Sequence, residues 1–327
     1  MSPEPVVTAK AESEGVTVAI IAGGVTYERD ISIRSAHYVA KALRSVGFKT
    51  VTLNPDQTLI DELRKFKPAL VWPLMHGGIG EDGSLQGLLE MLKIPFVGSS
   101  ADSARMASSK PLAKSIVRNA GVATPDSVTM PRALFSQIGA HGLVDLMAQS
   151  MHFPLIVKPV DGGSSLGVSR VDSINELRSA LVEAFAYSDS ALIEKYIVGR
   201  EITVSLVDTG DGLKALSPVE IDTDTGTYDF EARYSAGRSV FFAPARLTEA
   251  ENVACVEAAE ICGRSLRMRD IARIDLLLDA EGTPWFIDSN VSPGMTEMSL
   301  FPQAAKHDST MPELLKAVVE AKLSEVE

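Results

Sequence analysis

Near the C-terminus, Phe286-Ile287-Asp288-Ser289-Asn290 places a carboxylate and a carboxamide two residues apart in a β-forming run. Side chains alternate along a strand, so Asp288 and Asn290 are expected to share a face. Upstream, Ala272-Arg273-Ile274-Asp275-Leu276-Leu277-Leu278 has the same form, with Arg273 and Asp275 alternating against apolar residues. The intervening Asp279-Ala280-Glu281-Gly282-Thr283-Pro284 is rich in turn formers and predicts a hairpin. Centred between Glu281 and Gly282, that hairpin sets Asp275 opposite Asp288 and Arg273 opposite Asn290. Directly opposed residues share a face, so three oxygen ligands and one guanidinium converge. Hard oxygens with room for phosphate oxygens and water suit Mg²⁺, and the expected chemistry is that of a magnesium-nucleotide site. The same residues would also suit the solvated face of an antiparallel sheet, and a slip of one residue would separate them.

A phosphate needs cations and amide donors. Val160-Asp161-Gly162-Gly163-Ser164-Ser165-Leu166-Gly167 follows a strand that ends near Lys158. Glycines let the backbone curl so that successive N–H groups meet one anion, while the serines add hydroxyls and Lys158 a point charge. Neither a Gly-x₄-Gly-Lys-Ser/Thr loop nor a Gly-x-Gly-x-x-Gly fingerprint occurs. Lys110 is a second candidate cation. Leu192-Ile193-Glu194-Lys195-Tyr196-Ile197, with Glu201 beyond, reads as a strand running into a loop, where an adenine could lie against apolar walls.

Three units are expected to position these groups. After a polar tail over residues 1–15, strands at 16–22, 49–53, 69–73 and 95–97 alternate with helical patterns, the first helix starting near Ser32 or Ser35. That rhythm predicts a doubly wound parallel sheet over residues 16–107. Ligands of such sheets sit beyond the carboxyl ends of the strands, where the loops 23–29 and 73–83 fall. Residues 108–198 read as a smaller α+β unit, with helices at 111–120 and 174–186 and strands at 155–159 and 191–196. Residues 199–327 add strands at 201–207 and 216–220, a polar excursion near 222–238, a helix at 248–266, the hairpin, and an amphipathic helix at 314–323.

Composition narrows the partners. The 327 residues carry a formal charge of −12, with 31 Lys and Arg against 43 Asp and Glu, which argues against nucleic acid. The two cysteines, Cys255 and Cys262, stand seven apart in a helical stretch, too far for an easy bridge, and read as buried thiols of a reducing compartment. The tail shows no apolar core of a secretory signal, and no apolar run is long enough to span a bilayer. A soluble, cytoplasmic protein is expected.

Three segments carry a family resemblance: His76-Gly77-Gly78-Ile79-Gly80-Glu81-Asp82-Gly83-Ser84-Leu85-Gln86-Gly87, Gly163-Ser164-Ser165-Leu166-Gly167, and Asn290-Val291-Ser292-Pro293-Gly294-Met295-Thr296. In this order, from Val16 onward, the chain resembles the D-alanine–D-alanine ligases of the ATP-grasp superfamily. The resemblance implies a three-domain α/β and α+β architecture with ATP gripped between the central and C-terminal domains. It implies ADP-forming synthesis of D-alanyl-D-alanine for peptidoglycan through a D-alanyl phosphate. ATP and Mg²⁺ would serve it, with two ions and with Mn²⁺ able to substitute, in a homodimer formed through the N-terminal domain.

By matching position, Glu28 resembles the carboxylate that holds the first D-alanine's ammonium. Ser164 and Tyr234 resemble its hydrogen-bonded companions, Tyr234 lying on a lid over residues 227–241. His76 matches a histidine near the first substrate. Lys110 and Lys158 match phosphate-binding lysines, Arg233 faces the γ-phosphate, and Glu194, Lys195, Tyr196, Ile197 and Glu201 line the adenosine site. Asp275, Asp288 and Asn290 match magnesium ligands, Arg273 and the Gly294 N–H match oxyanion stabilisers, and Ser299 with Leu300 matches the second substrate's carboxylate site.

Three positions depart from the family's commonest pattern. Asp288 stands where glutamate is usual, Arg233 replaces a frequent lysine, and Val160-Asp161-Gly162 lacks a charged pair. Rival expectations are a ligase using D-lactate, D-serine or another amino acid as acceptor, and a nucleotide-binding regulator without catalysis. Tyr234 disfavours D-lactate, because the family tends to place histidine there.

Overall fold

The computed structural model describes residues 15–163, 165–223 and 238–325. Ser164, Arg233 and Tyr234, residues 227–237 of the expected lid and the tail before Gly15 lie outside them.

The N-terminal unit runs through β1 (Thr17–Ile21), α1 (Arg29–Ser45), β2 (Lys49–Leu53), α2 (Leu59–Phe66), β3 (Leu70–Pro73), α3 (Ser84–Leu92) and α4 (Ala101–Ser108). Its strands pair in parallel in the order β2-β1-β3. The expected fourth strand is only a single parallel bridge from Val71 to Phe96. Pro95 has no N–H to extend the ladder, and Gly98 turns the chain away with φ +112°. Helix α1 starts at Arg29 rather than at a serine cap. Ser32 and Ser35 lie inside it and bind across to the strand ends: the Ser32 hydroxyl donates to the Leu74 carbonyl at 2.6 Å and accepts from the Gly23 N–H at 2.8 Å.

Next come α5 (Lys110–Asn119), β4 (Ser127–Pro131), α6 (Arg132–Ile138), α7 (Ala140–Ser150), β5 (Leu155–Pro159), β6 (Ser169–Val171), α8 (Ile174–Ala184) and β7 (Ser190–Lys195). The strands form an antiparallel sheet ordered β4-β7-β5-β6. Leu155, Val157, Ala191 and Ile193 pack beneath α6, α7 and α8 in one core. Alternation turns Ile156, Lys158, Leu192 and Glu194 to the other face.

The last unit contains β8 (Arg200–Asp208), β9 (Leu213–Ala215), β10 (Val219–Thr223), β11 (Ser239–Phe242), α9 (Glu249–Ser265), β12 (Ile271–Leu278), β13 (Pro284–Asn290), α10 (Leu300–Asp308) and α11 (Met311–Ser324). Its sheet runs β11-β10-β8-β12-β13, with β9 on β8. The strand expected at 216–220 is instead β9 and β10, separated by Leu216–Pro218, where proline cannot donate to a ladder. Helix α9 begins with a capping box between Thr248 and Glu251.

Two cores flank this last sheet. One joins Ile202, Val204, Ile274, Leu276 and Phe286 to α9, and also to α4 and α5 through Ala104, Ala107, Ala113 and Val117. The other merges the N-terminal sheet and α1 with α10 and α11, packing Ile20, Trp72 and Leu43 in one cluster with Phe301, Leu315 and Val319. The N-terminal and C-terminal units thus share a core. The core of the central sheet draws only on residues between Met130 and Ile193.

Candidate active site

The hairpin β12–β13 pairs Asp275 with Asp288 and Arg273 with Asn290, as the sequence predicts. On the turn side the register changes, with Leu276 opposite Phe286 and Leu277 opposite Trp285, so Ile287 is an extra residue in a β-bulge. Phe286 enters the core, while Ile287 and Asp288 both line the cleft. Arg273, Asp275, Asp288 and Asn290 line one crevice of about 170 Å³ together with Lys110 and Glu81. Arg273 clasps Asp275 through Nε (2.8 Å) and Nη2 (2.9 Å), and the Thr203 hydroxyl, opposite on β8, donates to the same carboxylate at 2.7 Å. The Asn290 carboxamide oxygen accepts from the Ser292 N–H at 2.7 Å, which fixes the following turn.

Above the hairpin opens a larger cleft of about 460 Å³ between the central sheet and the C-terminal sheet. Glu28, Lys110, Lys158, Glu194, Lys195, Tyr196, Ile197 and Glu201 all line it. The Lys110 ammonium donates to the Gly162 carbonyl (2.6 Å) and lies 3.2 Å from Asp288, linking the glycine-rich loop to the hairpin. Glu194 is 3% exposed and accepts from Lys158 at 2.6 Å and from Lys114 at 2.5 Å. Burial alone would raise the Glu194 pKa, but Lys158 and Lys114 outweigh it and hold the carboxyl below its ordinary value. Gly167 closes the loop with φ +70°, and a Cβ there would stand 2.6 Å from the Tyr187 ring.

At the mouth beside the N-terminal sheet, His76 is buried. Its Nδ1 donates to the Ser292 carbonyl at 3.0 Å, so Nε2 accepts from the Ser35 hydroxyl at 3.1 Å, and Ser35 in turn accepts from the Met295 N–H. Desolvation is the main cause that lowers the His76 pKa to about 4, so the ring is neutral at physiological pH. Glu28 reaches over Gly77, whose added Cβ would meet Glu28 Oε2 at 2.8 Å. Glu81 shares this region: burial first, then the Glu28 charge, pushes its carboxyl up to about 8.

Gly294, Ser299 and Leu300 make a separate turn at the start of α10 and are not among the residues lining either cavity. The Ser299 hydroxyl accepts from the Thr296 N–H at 3.1 Å, and a Cβ on Gly294 would lie 2.9 Å from it. The Leu300 side chain is buried in the shared core. The turn joins the site through Met295 and the Ser35–His76 chain of hydrogen bonds.

Sequence reading omitted four residues that the fold brings here: Glu81, Lys114, Thr203 and Ile287. Lys114 follows Lys110 by four residues, the helical spacing that stacks two side chains on one face, and that signal could have found it. Glu81 lies inside the His76–Gly87 segment. Thr203 and Ile287 depend on strand register and on the bulge, for which the sequence carries no local sign.

The donor set of the crevice is two carboxylates and a carboxamide, all hard oxygens, beside two cations able to meet phosphate. It fits a magnesium-nucleotide group. Among the described residues, no cluster of three His, Cys, Asp or Glu forms a metal site by itself.

Comparison with known proteins accords with this geometry. A family model described as D-ala D-ala ligase C-terminus matches residues 116–320, and one described as D-ala D-ala ligase N-terminus matches residues 55–99. The chain is 36% identical over 307 residues to a D-alanine–D-alanine ligase of Anaeromyxobacter sp. (strain K), covering 94% of this chain and 96% of the relative. A D-alanine–D-alanine ligase of Aquifex aeolicus is 36% identical over 291 residues, covering 88% and 94%. Among solved structures, D-alanine–D-alanine ligase from Bacillus anthracis superposes with a TM-score of 0.79 at 29% identity, covering 95% of this chain and 98% of that one.

Proposed function

The chain belongs to the D-alanine–D-alanine ligase family, and from that premise we propose that it joins two D-alanines at the expense of ATP to supply a peptidoglycan precursor. The observation that carries this reading is the convergence of Arg273, Asp275, Asp288 and Asn290 on one crevice below a cleft lined by Lys110 and Lys158.

A carboxylate is a poor electrophile and must be activated before an amine can attack it. In the proposed sequence, the γ-phosphoryl of ATP passes to a carboxylate oxygen of the first D-alanine, giving ADP and D-alanyl phosphate. The amine of the second D-alanine, entering as ammonium and losing a proton, then attacks the carbonyl carbon. Collapse of the tetrahedral adduct breaks the C–O bond and releases phosphate and the dipeptide. Bound at Asp275, Asp288 and Asn290, magnesium would offset the charge on the phosphate oxygens.

The residue roles are carried over from the family resemblance. Glu28 holds the first substrate's ammonium, with Ser164 and Tyr234 as its companions and His76 beside it. The neutral His76 ring orients by hydrogen bonding and brings no charge. Lys110, Lys158 and Arg233 meet the phosphates. Lys110, now shared between Asp288 and the Gly162 carbonyl, is within reach of both jaws. Tyr196, Ile197 and Ile287 offer apolar walls to adenosine, and Glu194, Lys195 and Glu201 offer polar groups. Arg273 and the Gly294 N–H stabilise the oxyanion, and the start of α10 at Ser299 and Leu300 receives the second carboxylate.

Mass analysis of products from ATP, Mg²⁺ and D-alanine tests this directly. D-alanyl-D-alanine, ADP and phosphate are expected in equal amounts. Lack of D-alanine-dependent ADP release would refute the ligase reading. A mixed product when D-serine or D-lactate competes equally would refute the acceptor.

We also propose a cytoplasmic homodimer formed through the N-terminal unit. Met91 on α3 and Phe66 on α2 are exposed there, and no described helix is long and apolar enough to cross a membrane. Light scattering should give twice the 35.0 kDa chain mass.

A further inference from the structure

Four buried ionisable groups cluster at one side of the cleft, and three of them line it. Lys110 and Lys158 face the cleft as cations, and Glu194 lines it from β7. Lys114 is 3% exposed, is not among the residues lining the cleft, and spends its ammonium on Glu194 at 2.5 Å. A charge this deep is retained only when its partner compensates it.

The arrangement of partners tells what it compensates. Glu194 divides its two oxygens, one to Lys158 at 2.6 Å and one to Lys114. With both lysines in place the trio carries one net positive charge. Without Lys114, the pair Lys158–Glu194 is closed and neutral, and the cation at the end of β5 is already satisfied before a phosphate arrives. Lys114 also spans two bodies. Its helix α5 packs through Ala113 and Val117 in the core beneath the C-terminal sheet, whereas Glu194 belongs to the central sheet. The lysine therefore sets the charge of one jaw from the other.

We propose that Lys114 is a positioning residue for the nucleotide: by holding one oxygen of Glu194 it leaves Lys158 with positive charge to spend on the phosphates of ATP. This rests on the reading of the cleft as the ATP site. The mechanism is electrostatic, so it acts on the phosphates and leaves the nucleoside alone. A strut with only a structural role would act on neither, or on both alike.

The test is equilibrium binding of ATP and of adenosine to the full chain, in wild type, in Lys114→Gln and in Lys114→Arg. Lys114→Gln keeps a hydrogen-bond donor to Glu194 and removes the charge. It is expected to bind ATP roughly tenfold more weakly, with adenosine affinity within about twofold of wild type. Lys114→Arg keeps the charge and should keep the ratio of ATP to adenosine affinity near the wild-type value. Should Lys114→Gln fail to fold, Lys114→Met removes the same charge and is read in the same way. An unchanged ratio in a folded variant without the charge, or a ratio in Lys114→Arg as low as in that variant, overturns the proposal. Wild type that binds no ATP would instead overturn the nucleotide reading.

Discussion

Asp288 is one methylene shorter than the glutamate usual at its position in the family, yet it reaches Lys110 at 3.2 Å and lines the crevice with Asp275 and Asn290. Its Oδ1 also accepts from the Ser289 N–H at 3.0 Å, so the short side chain is fixed by its own backbone. If it is a metal ligand, Asp288→Ala should lower D-alanine-dependent ADP release by at least ~10²-fold, since one group stabilising developing charge is worth that much. Near-normal turnover would remove the metal assignment. His76 makes a different prediction. Burial lowers its pKa to about 4, below the ordinary 6.5, so the folded state resists protonation that the unfolded state accepts. Its contribution to stability is complete above about pH 6.5 and is lost as pH falls from there toward 4. Imidazole nitrogen shifts from pH 8 to 5 should therefore hold the Nδ1–H tautomer throughout, and a titration midpoint near 6.5 would contradict the buried hydrogen-bond chain.

Secondary-structure elements explain why some of this was legible and some was not. Strands β2 and β5 fall where alternation and turn residues put them, because each is bounded by glycine, proline or a polar turn. The pairing of Asp275 with Asp288 matches the sequence reading in outcome but not in cause: the turn-side pairs centre the hairpin on Glu281, which by unbroken alternation would set Asp275 opposite Ile287, and the extra residue restores Asp288. That bulge was not legible. A bulge is a cooperative property of two strands, and the local run Trp285-Phe286-Ile287-Asp288 reads equally well as unbroken alternation. Its effect is chemical: two successive side chains, one apolar and one acidic, face the cleft while Phe286 stays in the core. Lys114 escaped for the opposite reason. Its spacing from Lys110 was visible, but its partner Glu194 lies 80 residues away on strand β7 of the central sheet. Ile287→Ala should raise the KM for ATP by roughly five- to tenfold through lost apolar contact, with kcat nearly unchanged. A drop in kcat with unaltered KM would mean that the bulge serves the neighbouring Asp288 instead of the nucleotide.

The whole molecule behaves as two bodies if its cores determine its mechanics. Trp72 of β3 and Phe301 of α10 are both fully buried in one cluster that contains α1, α10 and α11, so the first and last units are welded. Asp270 strengthens the weld from the loop before β12. Its Oδ2 accepts from the Gly98 N–H at 2.6 Å, and its other oxygen lies 3.4 Å from Lys322 of α11. The central sheet has its own core and meets this body across the cleft through polar contacts, among them Lys114–Glu194 and Lys110–Gly162. A core is cooperative, whereas charged contacts across a cleft can open one at a time. Phe301→Ala should then cost about 3–5 kcal/mol and act on both ends of the chain at once. In native-state hydrogen exchange, amides of β1, β3 and β12 should lose protection together in that variant, and those of β5 and β7 should keep theirs. Joint loss across all three sheets would mean that the cleft is held as firmly as a core. ADP would then have no separate jaw to close, and the increase in β5 and β7 protection expected on adding it to wild type would not occur.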